Sequence, residues 1–182
     1  VFMNSGSGTF GSAVNYTVQT APSDIDAGDI DNDGDLDLVV SNFTSSNFSR
    51  LLNNGSGTFS TAANTNLTAG EASSIQLGDF NLDNILDVLV AFRISNVSTG
   101  IVGLFLGNGA GSFTFYEKFS TGLGPRQLVL GNLNNDSRID AVVVNESSNT
   151  FTVLLNNTAL ISASGPLTFC VGGSVDLTST PS

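Results

Sequence analysis

A nine-residue acidic pattern returns along this chain at intervals of fifty and fifty-three residues. That recurrence constrains the fold more than any other feature. The fullest copy is Asp29-Ile30-Asp31-Asn32-Asp33-Gly34-Asp35-Leu36-Asp37. Asp79-Phe80-Asn81-Leu82-Asp83-Asn84-Ile85-Leu86-Asp87 and Asn132-Leu133-Asn134-Asn135-Asp136-Ser137-Arg138-Ile139-Asp140 follow in register. Each copy is preceded by a glycine (Gly28, Gly78, Gly131) and followed by an apolar run such as Leu38-Val39-Val40, Val88-Leu89-Val90-Ala91-Phe92 or Ala141-Val142-Val143-Val144. Near-continuous β-branched runs of this length read as strands covered on both faces. Self-similarity at a fixed period of this size signals stacked structural units.

A second motif repeats out of phase with the first. Leu51-Leu52-Asn53-Asn54-Gly55-Ser56-Gly57-Thr58-Phe59 matches Phe105-Leu106-Gly107-Asn108-Gly109-Ala110-Gly111-Ser112-Phe113, and also Phe2-Met3-Asn4-Ser5-Gly6-Ser7-Gly8-Thr9-Phe10. A decayed copy lies at Leu154-Leu155-Asn156-Asn157-Thr158. Asn-Gly and Gly-X-Gly between apolar runs mark hairpin turns, because Gly and Asn accept positive φ at low cost. The middle unit therefore reads as strands at 73–80, 86–94, 101–106 and 112–119, with the acidic loop 79–87 joining the first two. No amphipathic helical period is present. The expectation is an all-β chain of about three four-stranded antiparallel blades of a β-propeller over residues 1–158. Closed propellers use about 4–8 blades, and the chain opens mid-pattern at Val1-Phe2-Met3, so it reads as a segment of a larger propeller.

The acidic loops carry the chemistry. Seven of the sixteen acidic residues fall between Asp24 and Asp37, and carboxylates so close repel unless a cation joins them. Positions 1, 3, 5 and 9, with glycine at 6, suit a hard cation with six to eight oxygen ligands, which is Ca²⁺. An EF-hand is excluded because Val40 stands where a bidentate Glu would be needed and strands flank the loop. Mg²⁺ would demand stricter octahedral geometry. Asp24 and Asp26, just before the first loop, read as strand-edge charges. The recurring Phe10, Phe59 and Phe113 read as inter-blade core.

The residues Gly28 to Val40, together with Leu51 to Phe59, resemble the FG-GAP or VCBS-type repeat, the blade of integrin α-subunit-like propellers and of many secreted bacterial proteins. The resemblance implies Ca²⁺ in the acidic loops. Asp29, Asp31, Asp33 and Asp37 would bind through side chains and Asp35 through its carbonyl. The matching positions are Asp79, Asn81, Asp83 and Asp87 with the carbonyl of Ile85, then Asn132, Asn134, Asp136 and Asp140 with the carbonyl of Arg138. Asp occupies four, then three, then two of the side-chain positions, and Gly34 becomes Asn84 and then Ser137. Affinity follows ligand charge, so the expected order is loop one tightest, loop two weaker and loop three marginal or empty. Residues 159–182 resemble a linker and the start of an Ig-like or PKD-like module of bacterial surface proteins, whose partner cysteine for Cys170 would lie further on.

Composition narrows the function. Only 12% of residues are charged, His and Trp are absent, and the net charge is −11. That balance argues against nucleic acid and anionic membranes as partners, and no apolar run is long enough for a membrane span. Without His there is no Ser-His-Asp triad, no Cys-His pair and no usual zinc site. Paired carboxylates could serve glycoside hydrolysis, but here they stand at metal-ligand spacing. The expectation is therefore a non-catalytic, calcium-stabilised propeller segment of a secreted or cell-surface protein. It would work in adhesion or recognition of an extracellular protein or glycan ligand, beside neighbouring repeats of the same protein. A carbohydrate-binding accessory module of a secreted enzyme and a passive spacer are the alternatives.

Overall fold

The computed structural model describes residues 1–67, 70–94 and 99–157. Within them the chain is all-β, apart from one short 3-10 turn at Glu146–Ser148. No described helix is long and apolar enough to cross a membrane. The Ig-like expectation for 159–182, including Cys170, lies outside the described residues.

Three antiparallel sheets follow one another along the sequence. Blade 1 is β1 (Pro22–Gly28), β2 (Asp37–Asn42), β3 (Asn47–Leu51) and β4 (Ala63–Asn66), paired in that order. Blade 2 is β5 (Glu71–Gly78), β6 (Asp87–Arg93), β7 (Gly100–Gly107) and β8 (Phe113–Thr121). Blade 3 has three described strands: β9 (Pro125–Gly131), β10 (Asp140–Asn145) and β11 (Thr150–Leu154). Each sheet is a simple meander, the topology that short Gly- and Asn-containing turns allow. The strand boundaries expected for the middle unit agree with β5 to β8 within about two residues.

The first strands of the three blades, β1, β5 and β9, lie side by side, and the sheets stack face against face. Strand alternation then assigns each residue to one of two interfaces. Ile30, Val39, Phe48, Ile75, Val88 and Val90 fill the layer between blades 1 and 2. Leu89, Ala91, Val102, Leu128, Ala141 and Val143 fill the layer between blades 2 and 3. Blade 2 is covered on both sides, which is why β6 reads apolar throughout. Edge-to-face rings seal the first layer, with Phe48 5.3 Å from Phe105 and 5.8 Å from Phe113.

The aromatic expectation needs correction. Phe113 is half-buried against the first layer, as expected of an inter-blade residue. Phe59 is also half-buried, but its ring partner is Tyr16, at 5.4 Å. Phe10 is 64% exposed and meets Phe2. The three share a turn motif, yet burial depends on the neighbouring sheet, and no described sheet lies beyond Phe10.

Asp24 and Asp26 are more than edge charges. The Asp24 carboxylate accepts the N–H of its neighbour Ile25 at 2.9 Å and, across the interface, the N–H of Ile75 at 3.1 Å. Asp26 likewise accepts from Ala27 at 2.9 Å and Leu77 at 2.8 Å. The free edges of β1 and β5 are thereby satisfied by side chains rather than by another strand. Ser74 continues the series: its hydroxyl donates to Asp24 at 2.6 Å and accepts the N–H of Leu128 in blade 3 at 3.1 Å.

Candidate metal centre

Each acidic loop joins the first two strands of a blade, so all three stand at equivalent places. Residues at the second-strand start anchor them. Asp37, Asp87 and Asp140 are buried, and each carboxylate accepts two backbone N–H groups. One comes from the loop itself: Ile30 at 3.1 Å, Phe80 at 3.1 Å and Leu133 at 2.8 Å. The other comes from the chain leaving the third strand: Asn53 at 2.7 Å, Gly107 at 3.0 Å and Asn156 at 2.8 Å. This clamp ties loop to turn in every blade, a role that reading these residues only as metal ligands missed. The signal was available, since Asp holds this position in all three copies.

The loop backbone is equally regular. The fourth residue, Asn32, Leu82 or Asn135, has φ between 62° and 63°. The sixth, Gly34, Asn84 or Ser137, has φ of 93°, 65° and 69°. Left-handed backbone is easy for Gly, tolerable for Asn and costly for Ser, so the third loop holds its shape against its own sequence.

The side chains then diverge. In loop one, Asp29 accepts from the N–H groups of Asp33 at 3.1 Å and Gly34 at 3.0 Å, and Asp33 accepts from Asp35 at 2.9 Å. These bonds turn the first carboxylate inward. Asp29, Asp31 and Asp37 each present an oxygen, and all three oxygens lie within 4.8 Å of one another. Among the described residues this is the one such acidic group. Asp33 and Asp35 stand outside it; the Asp35 carboxylate lies against Gly55 in the following turn. Loss of hydration, followed by the charges of Asp37 and Asp33, pushes the Asp31 carboxyl above its ordinary pKa.

In loops two and three an amide takes the place of the third-position carboxylate and bonds the fifth-position one. The Asn81 amide donates to Asp83 at 2.8 Å, and the Asn134 amide donates to Asp136 at 2.8 Å. Asp79 repeats the role of Asp29, accepting from Asp83 at 3.1 Å and Asn84 at 2.9 Å. Asp83 and Asp136 accept the N–H groups of Ile85 at 2.8 Å and Arg138 at 2.9 Å. Burial raises the Asp87 carboxyl, against two backbone hydrogen bonds that lower it. Asp136 moves the other way. The Arg138 N–H and the Asn134 amide hold it below its ordinary pKa. Asn132 stands at the first position of loop three, where Asp29 and Asp79 bring carboxylates.

The donor set of loop one is hard oxygen, with three carboxylates converging and no internal cation among them. That chemistry fits Ca²⁺. The loop also leans on the next blade: Gly111 donates its N–H to the Ile30 carbonyl at 3.0 Å. The site therefore sits where two blades meet.

Fold and loops together define propeller-type blade repeats carrying acidic loops at their strand connections. The FG-GAP-like repeat family matches residues 1–40 and 29–90, which supports assignment of that part of the chain to the repeat family. Blade 3 lies beyond the match and is tied to the others by its meander, its clamp and its loop φ values. No curated protein matches the chain.

Proposed function

We propose that this chain is a calcium-binding, non-catalytic propeller segment of a secreted or cell-surface protein, working in adhesion or recognition. The observation that carries the reading is the convergence of Asp29, Asp31 and Asp37 within 4.8 Å. Three like charges at that distance repel one another and oppose the fold; a bound Ca²⁺ reverses the sign of that term. Asp29, Asp31, Asp33 and Asp37, with the Asp35 carbonyl, would hold the ion in loop one. Asp79, Asn81, Asp83, Asp87 and the Ile85 carbonyl would hold a weaker one in loop two. The role of the metal is structural, because binding that favours the folded state stabilises it by mass action. An extracellular protein or glycan would then meet the loops at the rim.

The test is a calcium titration by calorimetry on the chelator-stripped chain, with melting curves in calcium and in chelator. Heat of binding with a calcium-dependent rise in melting temperature is the expected result. A flat titration with superimposable melts would reduce the loops to acidic turns and remove the support for the functional reading.

A further inference from the structure

The second position of an acidic loop is where the next blade takes hold. In loop one the Ile30 carbonyl accepts the N–H of Gly111 from blade 2 at 3.0 Å. In loop two the carbonyl of Phe80, the equivalent residue, accepts the Asn156 amide from blade 3 at 2.8 Å. Both donors stand in the chain that leaves the third strand. The Ile30 peptide is well placed to govern a site. Asp29 and Asp31 flank it in the sequence, and its N–H is held by Asp37 at 3.1 Å. All three convergent carboxylates therefore adjoin one residue, and blade 2 grips its carbonyl.

The gripping turn, residues 107–113, touches both loop one and loop two. At its base Gly107 donates its N–H to Asp87 at 3.0 Å. A Cβ on Gly107 would collide with the Leu86 carbonyl oxygen and stand 3.1 Å from the Ile85 side chain. A Cβ on Gly109 would stand 2.6 Å from the Asn32 amide nitrogen and 3.4 Å from Ile85. At the tip, a Cβ on Gly111 would stand 3.0 Å from Arg50 Nη1 and from Leu52 Cδ2, and 3.6 Å from the Asp31 Cβ. Gly111 also has φ of 72°, which glycine alone adopts cheaply. The turn of blade 1 shares this backbone, with φ of 75° at Gly57. The Gly57 N–H, however, bonds the Asn53 side chain of its own turn at 3.1 Å.

We propose that the 107–113 turn of blade 2 positions the loop-one site of blade 1, and that calcium held there locks the two blades together. The inference rests on the calcium reading above. The bond to Ile30 fixes the peptide between Asp29 and Asp31, so these carboxylates are oriented before an ion arrives. Outer groups that orient metal ligands contribute about 10–100-fold to affinity. Coupling of this kind is reciprocal: an ion in loop one holds the Ile30 carbonyl in place and so strengthens its bond to Gly111. Blade 1 carries the ligands, and blade 2 sets how well they bind.

Calcium calorimetry and amide hydrogen exchange by NMR test it, on the full chelator-stripped chain. Gly111→Ala should weaken the tightest calcium site about tenfold or more. Gly8→Ala is the control: Gly8 has φ of 79° and nothing within 4 Å of a Cβ. It carries the same backbone cost and should leave the affinity unchanged. In the wild-type chain, calcium should slow exchange of the Gly111 N–H about tenfold or more, and that of Gly57 far less. This readout needs no variant and decides the matter should Gly111→Ala fail to fold. Equal affinities in the two variants, with binding intact, overturn this proposal alone. So does an equal response of the two amides. A wild-type chain that takes up no calcium overturns the calcium reading and this proposal together.

Discussion

Loops one and three follow the same backbone path with opposite electrostatics. Both turn through left-handed residues at positions four and six, and both are clamped by a buried Asp that accepts two N–H groups. In loop one, however, loss of hydration and then the neighbouring carboxylates push Asp31 up, whereas in loop three the Arg138 N–H and then the Asn134 amide hold Asp136 down. The same loop frame thus stands whether its side chains are mainly carboxylates or mainly amides. The backbone clamp, not the ion, is what the three loops share.

The largest expected effect tests that shared clamp. In chelator, Asp37→Ala and Asp140→Ala each leave two N–H groups without an acceptor, at about 1–3 kcal/mol per group, so each should cost about 2–6 kcal/mol. Urea unfolding would measure it, and a silent Asp140→Ala would break the comparison at its common part. Next comes the charge difference. Asp31→Asn should weaken calcium binding on the order of tenfold, through loss of ligand charge. Asn132→Asp with Asn134→Asp should give loop three a titratable calcium site by calorimetry. If neither changes the isotherm, ligand charge is not what separates the loops.

A smaller effect concerns the turn itself. Gly34→Ala should destabilise by about 1 kcal/mol, and Ser137→Gly should stabilise by about 0.5–1 kcal/mol, because each changes the cost of positive φ at the same position. Opposite shifts in melting temperature are expected from the two variants. The smallest effect is in the pH dependence without metal. The folded chain holds a proton on Asp31 more readily than the unfolded chain, so its penalty is present above the folded pKa and fades as pH falls toward the unfolded value. Asp136 contributes stability above its unfolded pKa and loses it as pH falls through the folded one. Stability of Asp31→Asn and Asp136→Asn, measured against pH in chelator, should therefore diverge from wild type in opposite directions.

Much of this was legible in the residues. The meander followed from apolar runs separated by Gly and Asn turns, and β5 to β8 fell where alternation placed them. Gly34, Asn84 and Ser137 stood out as one turn position because the copies align without gaps. The clamp was signalled by Asp at the ninth position of all three copies, but its partners were not legible, since a ligand and an N–H acceptor look alike in sequence. Nor could the turn motif say that Phe113 meets Phe48 while Phe10 meets solvent.

The sequence by itself determined the period, the strands, the turns that demand positive φ and the decline of charge from loop to loop. All of these are set by residues a few positions apart, through local backbone sterics and side-chain alternation. Only the tertiary structure decided which carboxylates converge, that Asp24 and Asp26 satisfy the edge of the next blade, and that one apolar face lies open on blade 3. The Asp24 and Asp26 bonds join groups about fifty residues apart, whose distances are set by how one sheet seats on another.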